Sequence, residues 1–216
     1  MVISKEEDNF IYIKADGEDL EQVDHFKYLG QTITPDGKNE KEIIQRIAIS
    51  KSRFQQMYTL FTSRQISIKL RLRLLECYIF SVLLYGSETW TITKTLETKI
   101  EACEMWFIRR MGKISWKQKM TNEDVLTLMQ TKRKILETIK QKKMSFFGHI
   151  KRHNGILKEI LEGKMEGKRP RGRPRAQWTD NIKTWTNNNL KECTLMTQDR
   201  DLWRTISRQP LGRDGT

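Results

Sequence analysis

Cysteine, proline and histidine are scarce in this chain of 216 residues, which has three Cys, four Pro and three His. Cys77, Cys103 and Cys193 lie far apart with no Cys-x-x-Cys pair, so a disulfide framework is excluded and a reducing compartment fits. Long apolar runs are also missing. The longest, residues 77–85, is far short of the ~20 residues a bilayer-spanning helix needs. Residues 1–7 have neither a basic n-region nor an apolar h-region. The expectation is an intracellular protein, nuclear or cytoplasmic, that is not secreted and has no membrane partner.

Catalytic signatures are equally thin. There is no Gly-x-Ser-x-Gly, no Walker loop, no His-Glu-x-x-His and no Asp-Asp pair of the kind two-metal phosphoryl transfer uses. Glu97-Thr98-Lys99 and Glu162-Gly163-Lys164 match the short Glu-x-Lys end of a nuclease signature, but no strand precedes either, and both read as coincidence. His149 and His153 stand at i, i+4 and could offer two nitrogens to one metal. No third ligand lies nearby in sequence, so neither a metal nor a cofactor is expected from the residues, and no catalytic residue is assigned.

What the chain does have is positive charge. Its 40 Lys and Arg outnumber 27 Asp and Glu, for a net charge of +13. Residues 1–50 hold six Lys/Arg against eleven Asp/Glu, net −5, leaving +18 for residues 51–216. A polyanionic partner is expected to meet the later part. A hydrophobic content of 37% with six Trp is enough for a packed core, which rules down wholesale disorder.

The period of the apolar residues sets the organisation. Residues 10–13 and 26–29 are short runs rich in aromatic and branched side chains, with Asp16-Gly17 marking a turn between them, so two or three strands are expected. Thr34-Pro35-Asp36-Gly37 supplies turn chemistry that closes this region. Helical stripes follow: Ile43 to Phe61, then Leu70 to Leu83 after a Ser67 cap, then Leu96 to Ile114 with Glu97, Glu101 and Glu104 on the opposite, solvent side. Thr121 stands three residues before Asp124, the capping-box spacing, and residues 132–152 make a basic helix. Residues 163–175 hold almost nothing to bury and read as an exposed linker. Trp178, Ile182 and Trp185 suggest one final helix before a frayed end from Gln209. The expected fold class is α+β, mostly α. Its segments are a β region at 1–38, a helical bundle at 39–116, a basic helical connection at 117–162, a linker at 163–177 and a helical tail at 178–216.

Two features point to nucleic acid. Pro170-Arg171-Gly172-Arg173-Pro174, flanked by Lys168, Arg169 and Arg175, matches an AT-hook core. The minor groove is only ~6 Å wide, so a chain lies along its floor only where it is extended and lacks bulk at its centre. Gly172 supplies the gap, and Arg171 and Arg173 would reach along the groove toward the stronger negative potential of A·T tracts. The same residues also read as a plain basic linker or nuclear-import run. The second feature is the cation load of residues 132–152: Lys132, Arg133, Lys134, Lys140, Lys142, Lys143, Lys151 and Arg152, against Glu137 alone. Such a helix can bind phosphates by counterion release, or can present a solvated face; the shortage of acids favours binding.

Five blocks, in order, carry a family resemblance: Val23-Asp24-His25-Phe26-Lys27-Tyr28-Leu29-Gly30; Ile33-Thr34-Pro35-Asp36-Gly37; Leu84-Tyr85-Gly86-Ser87-Glu88-Thr89-Trp90; Phe147-Gly148-His149-Ile150-Lys151-Arg152; and the Gly167 to Arg175 segment with Trp178 and Asp180. Together they resemble the C-terminal part of endonuclease–reverse transcriptases from non-LTR retrotransposons of the RTE/BovB kind. The resemblance implies the end of a polymerase palm at residues 1–38, with Phe26, Lys27, Tyr28, Leu29 and Gly30 like the segment that becomes the primer grip. Residues 39–116 would be a thumb-like bundle, and the remainder a nucleic-acid-binding extension. The family's aromatic-Ala-Asp-Asp motif, fingers and endonuclease would lie upstream of Met1, so this chain is expected not to polymerise alone. Magnesium belongs only to the full-length polymerase, and no zinc knuckle is seen. The implied partners are DNA, RNA or a hybrid duplex, and an upstream polymerase segment. The alternatives are a non-catalytic chromatin protein binding A·T-rich DNA through the AT-hook-like segment, and a decayed reading frame with no selected role.

Overall fold

Two small hairpins precede the helices in the computed structural model, which describes residues 12–163, 172 and 174–210. Strand β1 (Lys14–Ala15) pairs antiparallel with β2 (Glu18–Asp19) across Asp16 and Gly17, at φ 52° and 84°. Strand β3 (Phe26–Tyr28) pairs with β4 (Gln31–Ile33) across Leu29 and Gly30, at φ 48° and 79°. Two successive left-handed residues give a two-residue loop whose twist matches that of the strands. Asp16-Gly17 therefore closes a hairpin of its own instead of joining the two aromatic runs. Of the first run, Phe10 and Ile11 lie outside the described residues, and Tyr12 and Ile13 are not in a strand. The Thr34–Gly37 turn forms as expected, with the Gly37 amide donating to the Thr34 carbonyl at 2.9 Å.

Helices build the rest, and the chain is α+β, mostly α. Helix α1 (Glu40–Gln56) breaks at Met57 before α2 (Tyr58–Thr62), so one expected stripe becomes two helices. Ser67 caps α3 (Ile68–Leu75) by accepting from the Leu70 amide, and a π-helical turn, Glu76–Phe80, leads into α4 (Ser81–Leu83). Helix α5 (Lys94–Met111) starts at a Thr93 cap. Helix α6 (Asn122–Leu128) opens on the expected Thr121–Asp124 capping box. Helix α7 (Ile135–Arg152) is followed by α8 (Ile156–Glu162), α9 (Trp178–Thr186), α10 (Leu190–Met196) and α11 (Arg200–Arg208). Where one final helix was expected, three follow the linker. No described helix is long and apolar enough to cross a membrane.

Two buried clusters organise these helices. The first gathers α1–α6 around Phe54, which stacks on Phe61 at 4.8 Å and tilts against Phe107 at 5.4 Å; Ile135 and Ile139 of α7 complete it. The second joins Met144 and Phe147 of α7 to Ile182, Cys193 and Trp203. One half of α7 thus lies in each core. Trp203 lies directly on Gly148, where a β-carbon would come within 2.5 Å of the indole, so glycine is what lets α11 approach the α7 backbone.

Glu104 departs from the sequence reading. It is not on a solvent face but is 1% exposed, and its carboxylate accepts from the Lys134 amide at 2.7 Å and the Ile135 amide at 3.3 Å. The side chain of Lys134, at the helix entry, gives α7 no cap. Glu104 does this from across the core, satisfying amides that would otherwise be orphaned. Burial pushes its carboxyl up to about 7, with the two amides pulling it down.

Candidate nucleic-acid interface

The loop that leaves α4 draws distant parts of the chain together. Gly86 turns the backbone with φ 68°, and a β-carbon there would lie 1.5 Å from Gln31 Nε2, so the loop closes tightly on the β3–β4 hairpin. Tyr85 Oη donates to the Leu29 carbonyl at 2.8 Å. The Arg46 guanidinium sits 4.6 Å above the Tyr85 ring, donates to the Gly30 carbonyl, and is held by Glu42 at 2.6 Å. Glu42 also accepts from the Thr32 amide at 2.6 Å. The hairpin is therefore tied to α1 by charge-assisted bonds, the stronger kind, and to the loop by the neutral Tyr85 bond.

The other side of the same loop faces α7 and α9. Lys142 Nζ donates to the Leu84 carbonyl at 2.9 Å, and Lys143 Nζ to the Trp90 carbonyl at 2.7 Å. Trp178 Nε1 donates to the Glu88 carbonyl at 2.9 Å. Asn181 accepts from the Ile92 amide at 2.9 Å and donates to the Ile92 carbonyl at 2.7 Å. Arg175 reaches the Asp36 carbonyl at 3.3 Å, joining the end of the linker to the Thr34–Gly37 turn. Thus Leu29-Gly30, Asp36, residues 84–90, the middle of α7 and Trp178, far apart in sequence, belong to one junction.

The α7 cations are where sequence and structure part. Lys143 is fully buried: it also donates to Asn181 Oδ1 at 2.6 Å and lies 4.9 Å and 5.6 Å from the centroids of Trp178 and Trp185. Burial pushes its ammonium down to about 7, while Asp180 pulls it up. Lys140 is 3% exposed and donates to the Gln209 carbonyl at 3.0 Å; Lys151 is 5% exposed and pairs with Glu162 at 2.8 Å. These three do not line a surface. Because α7 is covered by one core along its first half and by the other along its second, these stems are buried, and their ammonium groups end on acceptors of the chain: Lys143 inside, Lys140 and Lys151 on the exposed residues Gln209 and Glu162. Lys142 is exposed, Arg152 is half-buried and bonded to the Thr197 carbonyl at 3.0 Å, and both spend a bond on holding segments in place.

The other site expectations fall outside the cores. Phe26, Lys27, Tyr28, Leu29 and Gly30 form an open hairpin tip, with Phe26, Tyr28 and Leu29 at 50%, 58% and 74% exposure. Lys168, Arg169, Pro170, Arg171 and Arg173 lie outside the described residues. Gly172, Pro174 and Arg175 are exposed, and Gly172 has φ 118°, a conformation that favours glycine. His149 and His153 are exposed with ring centroids 4.4 Å apart, and among the described residues no group of three or more His, Cys, Asp or Glu could hold a metal.

Over 199 residues the chain is 27% identical to an uncharacterized transposon-derived protein of Caenorhabditis elegans, a match covering 88% of this chain and 68% of the relative. The chain is similar to a transposon-derived protein. No family model matches it, and no solved structure does.

Proposed function

We propose that this chain is the nucleic-acid-binding C-terminal part of a retrotransposon-derived reverse transcriptase of the RTE/BovB kind, holding template–primer while other residues do the chemistry. The observation that carries the reading is the junction around residues 84–90. Segments of all five blocks that resemble that family touch or adjoin it, as expected of one folded unit with one role. The transposon-derived relative supports the origin. The open tip at Phe26–Gly30 is the primer-grip-like element. It stands on the Arg46–Glu42 pair, so its backbone is held while its aromatic side chains stay free to contact a partner.

Binding is assigned to the basic bundle, linker and tail, with DNA, RNA or hybrid duplex as ligand. No cofactor is assigned to this chain, because the aromatic-Ala-Asp-Asp carboxylates that would hold magnesium are not among its residues. A nuclear or cytoplasmic, intracellular setting goes with this reading. The experiment is a pair of assays on the full chain. Fluorescence anisotropy with labelled DNA duplex and RNA–DNA hybrid should show salt-dependent binding, and primer extension with magnesium should give no product. Nucleotide incorporation, or no binding to either duplex, overturns the proposal.

A second reading is favoured by the exposure of Gly172, Pro174 and Arg175, which leaves these three residues open to a groove. On that reading the AT-hook-like residues bind A·T-rich duplex by themselves.

A further inference from the structure

The loop between α5 and α6 carries a feature that neither the junction nor the linker uses. Trp116 is 82% exposed, on a short 3-10 turn, Trp116–Gln118. An indole is the largest apolar side chain, and leaving it in water forgoes the stabilisation its burial would give. Flanking it in the same loop are Lys113, Lys117 and Lys119, all exposed and none in an ion pair among the described residues. No Asp or Glu occurs from residue 105 to residue 122. The nearest acids are occupied: Asp124 closes the α6 capping box and Glu123 lies 3.7 Å from Arg133.

The loop is also held in shape. Ser115 accepts from the Lys117 amide at 3.3 Å, and the Gln118 and Lys119 amides donate back to the carbonyls of Ser115 and Trp116 at 3.1 Å. Arg109 bridges from α5 to the Met120 carbonyl at 2.9 Å and Asn122 at 3.0 Å, pinning the far end of the loop. Lys113 and Lys119 stand in left-handed backbone, φ 54° and 48°, an uncommon choice for lysine, and bracket the turn that presents the indole. Rigid support, an open aromatic face and uncompensated cations are the parts of a platform on which a base stacks while its flanking phosphates meet lysines.

The geometry points to a stacking site for an unpaired nucleobase at Trp116, with Lys113, Lys117 and Lys119 on the adjoining phosphates. It rests on the nucleic-acid reading above and adds a strand preference: single-stranded DNA or RNA, since a base inside a duplex offers no free face. The indole makes little packing of its own, so Trp116→Ala should leave Tm unchanged and Trp116→Phe should keep the site.

The test is anisotropy of the full chain with labelled oligodeoxyuridylate, oligouridylate and a matched duplex. Trp116→Ala should weaken single-strand binding by about tenfold, leave duplex binding within error, and be rescued by Trp116→Phe. Comparing oligodeoxyuridylate with oligouridylate, which differ in the sugar alone, shows which sugar the site takes. Replacing the three lysines with Ala should lower the single-strand salt slope by about 2. Equal loss on single strand and duplex, or no loss on either, overturns the stacking site while duplex binding by the unaltered chain leaves the proposed function standing. Binding to phosphatidylserine vesicles that Trp116→Ala abolishes, with oligonucleotide binding untouched, makes the loop a membrane contact and overturns it as well.

Discussion

Lys143 shows how a single side chain can be misread and what would have corrected the reading. Within a run of cations it looks like one more surface lysine. Its spacing says otherwise, for Ile135, Ile139, Lys143, Phe147 and Lys151 recur every four residues along one slanting stripe of α7. A lysine between two core positions on such a stripe must either snorkel out or find acceptors inside, and Lys143 finds Trp90 and Asn181. Its ammonium is depressed from 10.5 to about 7 by burial. In that window the unfolded chain holds the proton more tightly, so stability should rise with pH from about 7 toward 10.5 and be lost on the way down. Lys143→Met removes this group and leaves all other lysines, so wild-type Tm should climb relative to the variant as pH is raised from about 7 to 10. Parallel Tm curves would show that Lys143 is not the source. Glu104 has the opposite sign. Its carboxyl is raised from 4.5 to about 7, so its contribution is full below about 4.5 and is lost as pH rises to about 7.

Elements with local signals were legible. The Ser67 cap, the Thr121–Asp124 box and the Thr34–Gly37 turn each depend on residues within three positions of one another, and each formed as read. Helix α10 carries the same box, Asn189 with Glu192, and could have been found by the same rule. Less accessible were the break at Met57 and the Leu29-Gly30 hairpin, because leucine is a poor left-handed residue and its turn is held by Arg46 and Tyr85 from elsewhere. Long-range ties like these have no sequence period. Asn181 is the clearest of them, for α9 meets the segment after Trp90 through its three hydrogen bonds, two to Ile92 and one from Lys143. Asn181→Ala leaves the Ile92 amide and carbonyl without that partner and removes one of two acceptors from a buried ammonium. The loss should be about 2–4 kcal/mol. Hydrogen exchange should quicken in α9–α11 before it does in α1–α5. Uniform quickening would mean that the two cores open as one.

At the scale of the whole molecule, net charge and usable charge are different quantities. The +18 of residues 51–216 suggested one broad basic surface, with residues 132–152 its most basic helix. The structure splits that total. Lys140, Lys143 and Lys151 are buried and bonded within the chain, so the helix that looked most basic is a spine that joins two cores, while Trp116 and its lysines stand open. This division can be measured, because the salt slope of binding counts only cations that displace counterions from phosphate. Lys140→Gln with Lys151→Gln should lower stability, since both take donors from buried sites, and should leave the salt slope unchanged. Arg171→Ala with Arg173→Ala should leave stability unchanged and lower the duplex slope by about 2, from ~0.9 per phosphate. If these arginines lie in a minor groove, affinity for A·T-rich duplex should fall more than for G·C-rich duplex; equal loss on both makes the linker a plain phosphate contact. A slope that falls with the α7 pair instead would mean that the spine opens when nucleic acid binds, and that its lysines leave their acceptors within the chain for phosphate.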